Sequence, residues 1–529
     1  MRQLILPALI VAGVALLSSP EKGEAQDQGG TFIMAMSGEP QSLVGFLATD
    51  TNASMIANNV FSKLVSLNPD MTPRPDLAES WTVSEDGLTY TFNLVTDARW
   101  HDGEPVTAED VVFTVEDIVA EHFPRASSWV PNVESVTATG EHQVNFQLLE
   151  PYAPFMTLMG SSLGSGMLIM PKHIYEGMDI PNNEANFAPI GSGPFRFGSW
   201  NRGAYIELVR NDDYFVDGQP YLDRVIGQIV PDASSRLLAF EQGEIDFLHM
   251  YILPNDQIGR LKEDERFEIA YGGNGPATSE FLLFNLREGP LADVMVRRAI
   301  AHALDRDAVR DVALFGEGRT ATSHINSALE WVQTDEFDYP HDIERANAML
   351  DEAGYPRDGN GIRFSMRGVW SGGRDFESRA AEVIRSQLEE VGIDYVIETY
   401  DRPTFIDKVF REWDFDAAHQ LFTTGPDPTM SVPSRYHTDQ IRKAPFVNAM
   451  GYSNPELDAI FAREYAIQDR AERAEAWREA QRILMEDLPA LPLFEMPAEN
   501  LVSSRFEDAV TTPFGYVESR AETYFRTDD

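Results

Sequence analysis

Cysteine is absent from this chain, which excludes disulfides, a thiol nucleophile and any thiolate-held metal. Lysine is almost absent as well: 6 of the 42 basic residues, set against 85 acidic ones, for a formal charge of −43. A field of that sign repels phosphates, so nucleic acid and anionic membranes are poor partners. The acid excess reads first as a strongly hydrated, salt-tolerant surface and only second as a cation site. The chain has no G-x-x-x-x-G-K-[ST] phosphate loop and no G-x-G-x-x-G after a strand, so it has no recognised route to ATP hydrolysis. Its ten histidines include no i, i+4 pair of the helical zinc type, and Asp358-Gly359-Asn360-Gly361 lacks the alternating carboxylates of a calcium loop. No cofactor and no metal site is therefore expected. Long apolar runs are missing too. Leu4–Leu17, the exception, is short for a transmembrane helix.

That run follows Arg2 and precedes Gly23-Glu24-Ala25, a small-x-small cleavage pattern. Residues 1–25 thus read as a secretory signal peptide, with a mature chain from about Gln26 exported to the periplasm. The remaining length is too great for one core and predicts about two to four domains.

The most informative stretch is Pro75–Asp117. Trp81 and Val83, then Leu88, Tyr90, Phe92 and Leu94, alternate with the period of half-buried strands, and Asp86-Gly87 supplies a tight turn between them. His101-Asp102-Gly103 is a second turn. Thr107, with Asp110 three places on, caps a helix whose apolar stripe is Val111, Val112, Val115, Ile118 and Val119. This wording, from Pro75 and Leu77-Ala78 through Trp100…Asp102-Gly103 to Val106–Val111, resembles the family 5 extracellular solute-binding proteins of ABC importers, the dipeptide- and oligopeptide-binding family. Two further stretches are similar to that family. One is Gly191–Phe215, GSGPFRFGSWNRGAYIELVRNDDYF. The other is Phe281–Asn285 with Pro290–Asp293 and Val296–Ile300.

The resemblance implies a two-lobed α/β fold with mixed sheets and an extra domain inserted in the first lobe. In that reading residues 26–60 and 189–270 form the first lobe, 61–188 the insertion and 271–488 the second lobe, and 489–529 return to the first. Periodicity and breakers predict strands over Thr31–Met36, Val133–Thr139, Val144–Leu148, Val225–Val230, Ile393–Thr399, Asp414–Gln420 and Leu491–Phe494. They predict helices over Ala233–Gln242, from Val296 to about Ala308, from Phe376 to a C-cap at Gly392, from Pro455 behind an Asn454 cap, and over Ala471–Asp487.

The resemblance also implies a solute held between the lobes and delivered to membrane permease subunits, with the protein expected to act as a monomer. The candidate ligand contacts are Glu39, Thr278, Trp370, Arg374, Phe422, Thr424 and Asp427. Arg374 can pair with a carboxylate, and Trp370 and Phe422 offer flat faces. In peptide-binding members an aspartate in the stretch Leu421–Pro428 holds the peptide's amine; here that position is Thr424, and Asp427 matches a more loosely retained acid. The solute is therefore open among a peptide, an opine, an oligosaccharide and a metal chelate. Gly160-Ser161-Ser162-Leu163-Gly164 formally fits a nucleophile elbow, which makes a secreted serine hydrolase the alternative from another class. The elbow needs a strand before the serine, and the prolines Pro151 and Pro154 argue against one. A solute sensor or chaperone not coupled to import is the third reading.

Overall fold

The computed structural model describes residues 28–526, apart from 48–49, 124–128, 163–165, 254, 271–277, 335–338, 373, 498 and 513. The predicted signal peptide lies outside the described residues.

Thr31–Met36 is a strand, as its alternation requires, and is the middle member of a seven-stranded sheet. Across that sheet the order is Phe267–Ala270, Asn500–Ser503, Phe247–Leu248, Thr31–Met36, Arg224–Ile229, Tyr205–Arg210, Phe195–Asn201. The central strand pairs in parallel on both sides and the outer pairs are antiparallel, so the sheet is mixed. The glycines of Gly191-x-Gly193 are required where the chain enters the sheet. A Cβ on Gly191 would stand 1.9 Å from the Val60 carbonyl oxygen, and one on Gly193 would stand 2.7 Å from it.

Between the two halves of this sheet runs the segment with the hairpins. Ala78–Val83, Thr89–Leu94, Gln143–Leu148 and Val133–Gly140 form a four-stranded antiparallel sheet. The helix Ala108–Phe113 starts where predicted: the Thr107 N–H donates to the Asp110 carboxylate at 2.9 Å. It continues through a π-helical turn, Thr114–Val119.

The second large sheet has the order Arg319–Thr320, Ala490–Glu495, Thr278–Phe284, Ala417–Thr423, Phe364–Ser371, Ile393–Tyr400. The helix Asp375–Glu390 links its two last strands, which run parallel, and Gly392 closes that helix with φ +82°. One face of the sheet packs on this helix and on Val294–Ala303, through Leu282, Met366, Tyr395, Ile384 and Ile300. The other meets the helices Pro455–Glu464 and Arg470–Asp487 through Phe281, Val369, Ala418, Phe461 and Trp477.

Three expectations need correction. The helix from Val296 is two helices, Val294–Ala303 and Arg306–Leu314, because Asp305 breaks the first and caps the second by accepting from the Ala308 N–H. The strand expected over Asp414–Gln420 is Ala417–Thr423; Asp414 lies before it, ion-paired with Arg367 and Lys408. A boundary at 489 divides the chain too early. Ala490–Glu495 pairs with Thr278–Phe284 in the second sheet, and the chain rejoins the first only at Asn500–Ser503. Pro489 does end a helix, but a helix end is no evidence of a domain end.

Candidate functional site

Thr278 opens the central strand of the second sheet, and Thr423 closes its neighbour. The two are paired in register, with hydroxyls 3.0 Å apart. Strand alternation then puts Phe422 opposite Ser279, on the face shared with Phe281. The next residue but one, Thr424, is buried: its hydroxyl accepts from the Asn326 N–H at 3.4 Å and its carbonyl accepts from Ser431 Oγ at 3.0 Å. Asn326 also donates to the Thr278 carbonyl and to Ser279 Oγ. Three expected residues, Thr278, Phe422 and Thr424, thus meet in one corner at the strand ends, where α/β sheets place ligands.

Asp427 lies beside that corner and is not free. Its two carboxylate oxygens receive Nη1 and Nη2 of Arg473 at 2.7 and 2.6 Å, and the same guanidinium donates from Nε to Glu464 at 2.9 Å. Trp477 Nε1 and Thr429 Oγ1 complete the shell around Glu464. All of this is buried, so Asp427 serves as the acid of an internal ion pair.

Trp370 also has internal partners and is buried. Alternation aims it to the helix-covered face, where Nε1 donates to Thr399 Oγ1 and the ring lies 5.3 Å from His419. It is a core residue.

Arg374 precedes the helix Asp375–Glu390, half-exposed, with Nη1 2.8 Å from Glu377 Oε1. Behind it lie two acids, Glu280 and Glu377, that sequence reasoning missed. Glu280, two residues on from Thr278, is fully buried; neither oxygen has a hydrogen-bond partner among the described residues, and His419 Nδ1 is 3.6 Å away. Burial pushes the Glu280 carboxyl up to about 8, although Arg374 and Arg402 oppose the shift. Glu377 is pushed up to about 7 by burial and by Glu280. His419 is driven down to about 4 by burial, and its Nε2 meets the Tyr395 hydroxyl at 3.0 Å. One acidic residue inside the strand TSEFLLF was the available signal.

Glu39 lies on the loop after Thr31–Met36, in the first lobe. Arg202 approaches it at 3.6 Å while stacking on Trp200 at 3.4 Å and reaching Phe187 at 5.4 Å.

Ser162 does not sit on an elbow. The helix Phe155–Gly160, not a strand, leads to it, and Leu163-Gly164 falls outside the described residues. Its hydroxyl accepts from Lys63 Nζ at 2.5 Å and donates to Glu518 at 3.0 Å. Among the described residues, no group of three or more His, Cys, Asp or Glu could hold a metal, and no helix is long and apolar enough to cross a membrane.

The model of the bacterial extracellular solute-binding proteins, family 5, matches residues 72–443. The chain belongs to that family. It is 29% identical over 492 residues to the oligopeptide-binding protein AppA of Bacillus subtilis, covering 89% of this chain and 87% of that one. It is 26% identical over 543 residues to the heme-binding protein A of Haemophilus influenzae, covering 96% of each. Among solved structures, the ABC transporter substrate-binding protein CtaP of Listeria monocytogenes superposes with a TM-score of 0.81 at 26% identity, over 94% of this chain and all of that one. The two-lobed α/β fold expected from the sequence is therefore the observed one, and the protein is a solute-binding component of an ABC importer.

Proposed function

We propose that this chain, exported by residues 1–25 and mature from about Gln26, captures one small polar solute between its lobes and presents it to a membrane permease. The observation that carries this is the corner formed by Thr278, Phe422 and Thr424, polar and aromatic groups gathered at strand ends. Glu39 on the first lobe and Arg374 on the second complete the contact set. Other contacts also join the two halves of the molecule. Asp70, in the turn before Pro73–Pro75, accepts from Arg470 Nη2 through its carbonyl at 2.7 Å, and the Ala153 N–H donates to the Tyr465 carbonyl at 2.6 Å. Such contacts support a closed form that hinge opening would break.

Thr424 carries no charge and Asp427 is paired with Arg473, so neither supplies a free carboxylate for a peptide's amine. The solute is therefore not held by its ammonium group at either of these two positions. Binding is stoichiometric and no covalent step is involved. Small-angle scattering of ligand-stripped protein with and without solute tests the reading: a solute that binds should shrink the radius of gyration. Turnover of a chromogenic ester, lost on Ser162→Ala, would contradict it.

A further inference from the structure

Buried arginines in this chain have their charge answered in two ways. Arg297 and Arg520 each donate to three or more backbone carbonyls. Arg473 has Asp427 and Glu464. Arg435 has neither arrangement. It is 1% exposed, its Nε donates to the Ser431 carbonyl at 3.1 Å and its Nη2 to Ser431 Oγ at 2.9 Å, while Nη1 has no partner among the described residues. No carboxylate among the described residues pairs with it, and burial holds its pKa below the usual arginine value.

Its surroundings are aromatic. The guanidinium carbon lies 4.8 Å from the centre of the Phe422 ring, 5.7 Å from Phe281 and 5.9 Å from Tyr436. Ring faces answer part of a cation's lost hydration, but they give Nη1–H no acceptor. Two more polar atoms here, Tyr436 Oη and His324 Nδ1, are unpartnered among the described residues. His324 Nε2 is 2.9 Å from the Ala490 carbonyl, which only accepts, so the ring proton is on Nε2. Its ring is 5.3 Å from that of Tyr436.

This group is joined to the candidate site. Arg435 Nη2 donates to Ser431 Oγ, which donates in turn to the carbonyl of Thr424, and Phe422 stands over the guanidinium. An uncompensated cation in a low-dielectric site attracts an anion strongly, and a carboxylate can accept from Nη1–H and from the tyrosine hydroxyl at once.

We propose that Arg435 and Tyr436 form an anion-receiving subsite at the floor of the solute cleft, behind Phe422, and that the solute recognised there carries a carboxylate. The inference rests on the solute-receptor reading above. Phe422 acts as the cover of this subsite, and Arg435 gives the corner its positive sign, since Thr424 is uncharged and Asp427 is paired.

The test is calorimetric titration of ligand-stripped full-length mature protein with trialanine and octopine and with the amide of each. The free acids should bind about tenfold or more tighter than the amides, as expected for one charge-assisted contact. In Arg435→Met that ratio should fall to about twofold or less, with Arg435→Lys between. Equal binding of acid and amide by the wild type overturns the proposal. So does a ratio that survives Arg435→Met and vanishes in Arg374→Ala. A measurement on the wild type guards against a misfolded variant or a wrong probe. Bromide diffused into ligand-free crystals should give an anomalous peak between Arg435 Nη1 and Tyr436 Oη, and peaks elsewhere with none there overturn the proposal. If no solute of any class binds while the bromide peak is present, the receptor reading has failed and the anion subsite has not.

Discussion

Asp427 and Arg473 face each other through two hydrogen bonds of 2.6 and 2.7 Å, both side chains almost completely shut off from solvent. Arg473 stands one turn into the helix Arg470–Asp487 and ties that helix to the segment after Ala417–Thr423. An acid that could be read from its position as a ligand anchor is thereby committed to the frame of the second lobe.

Breaking the pair leaves a buried charge without its partner, which costs about 3–5 kcal/mol. Arg473→Ala and Asp427→Ala should each lower the midpoint of urea unfolding by a corresponding amount. Calorimetry on whatever fraction folds should show solute affinity changed less than tenfold. A variant with unaltered stability and abolished binding would return Asp427 to the ligand contacts.

Glu280 and Glu377 carry a pH dependence of definite sign. Both have folded pKa values above their unfolded values, at about 8 and about 7, so the folded state holds more protons. Their contribution is fully present below the unfolded carboxyl range and is lost as pH rises through 7 and then 8. The His419 shift is opposite: its folded value of about 4 makes its contribution complete above its unfolded value and lost as pH falls toward 4. His101, His249 and His324 are lowered in the same way as His419, so below about pH 6.5 the two trends oppose each other, and thermal unfolding should show falling stability between about pH 6.5 and pH 8.5. Glu280→Gln should remove most of that slope and exceed the wild type at pH 8.5 by a few kcal/mol. An unchanged slope in the variant would mean Glu280 titrates normally.

Arg374 offers the second lobe's half-exposed guanidinium to a solute, sharing it with Glu377. Arg374→Ala should weaken a solute that carries a second carboxylate, beyond the one received at Arg435, by about 2–3 kcal/mol, the scale of a charge-assisted hydrogen bond. Calorimetry giving equal affinities would remove it from the contact set.

Gly191 meets the Val60 carbonyl too closely for any side chain. Gly191→Ala should destabilise the first lobe by about 1–3 kcal/mol, the range for overpacking a filled site. Denaturant unfolding that matches the wild type would show that Val60 can yield.

Much of the fold could be read before any coordinates. The alternation of Thr31–Met36 and of the two hairpins, the cap at Thr107 and the stop at Gly392 are local signals, and each appears in place. The break at Asp305 was missed because apolar spacing runs through it, and the only cue was an Asp that could cap. The site was harder. Thr278, Phe422 and Thr424 are neighbours through strand pairing, which family wording can suggest. The internal partners of Trp370 and Asp427 were not legible because a residue's partner across a sheet or on a distant helix is not written near it in the chain. Arg435 carried no local signal at all, since nothing in SVPSRYH says that its charge will go unanswered.

The central claim is that this protein closes on a solute. The most direct measurement is thermal unfolding of residues 26–529, stripped by refolding, against di- to pentapeptides, opines, oligosaccharides and nickel–histidine. At a hundred times its dissociation constant a true solute stabilises the folded state by about 2.7 kcal/mol, which should appear as a clear rise in midpoint. A rise with at least one class is the predicted result, with acidic solutes favoured over their amides. A midpoint that no class moves, at concentrations that saturate related receptors, would contradict the account.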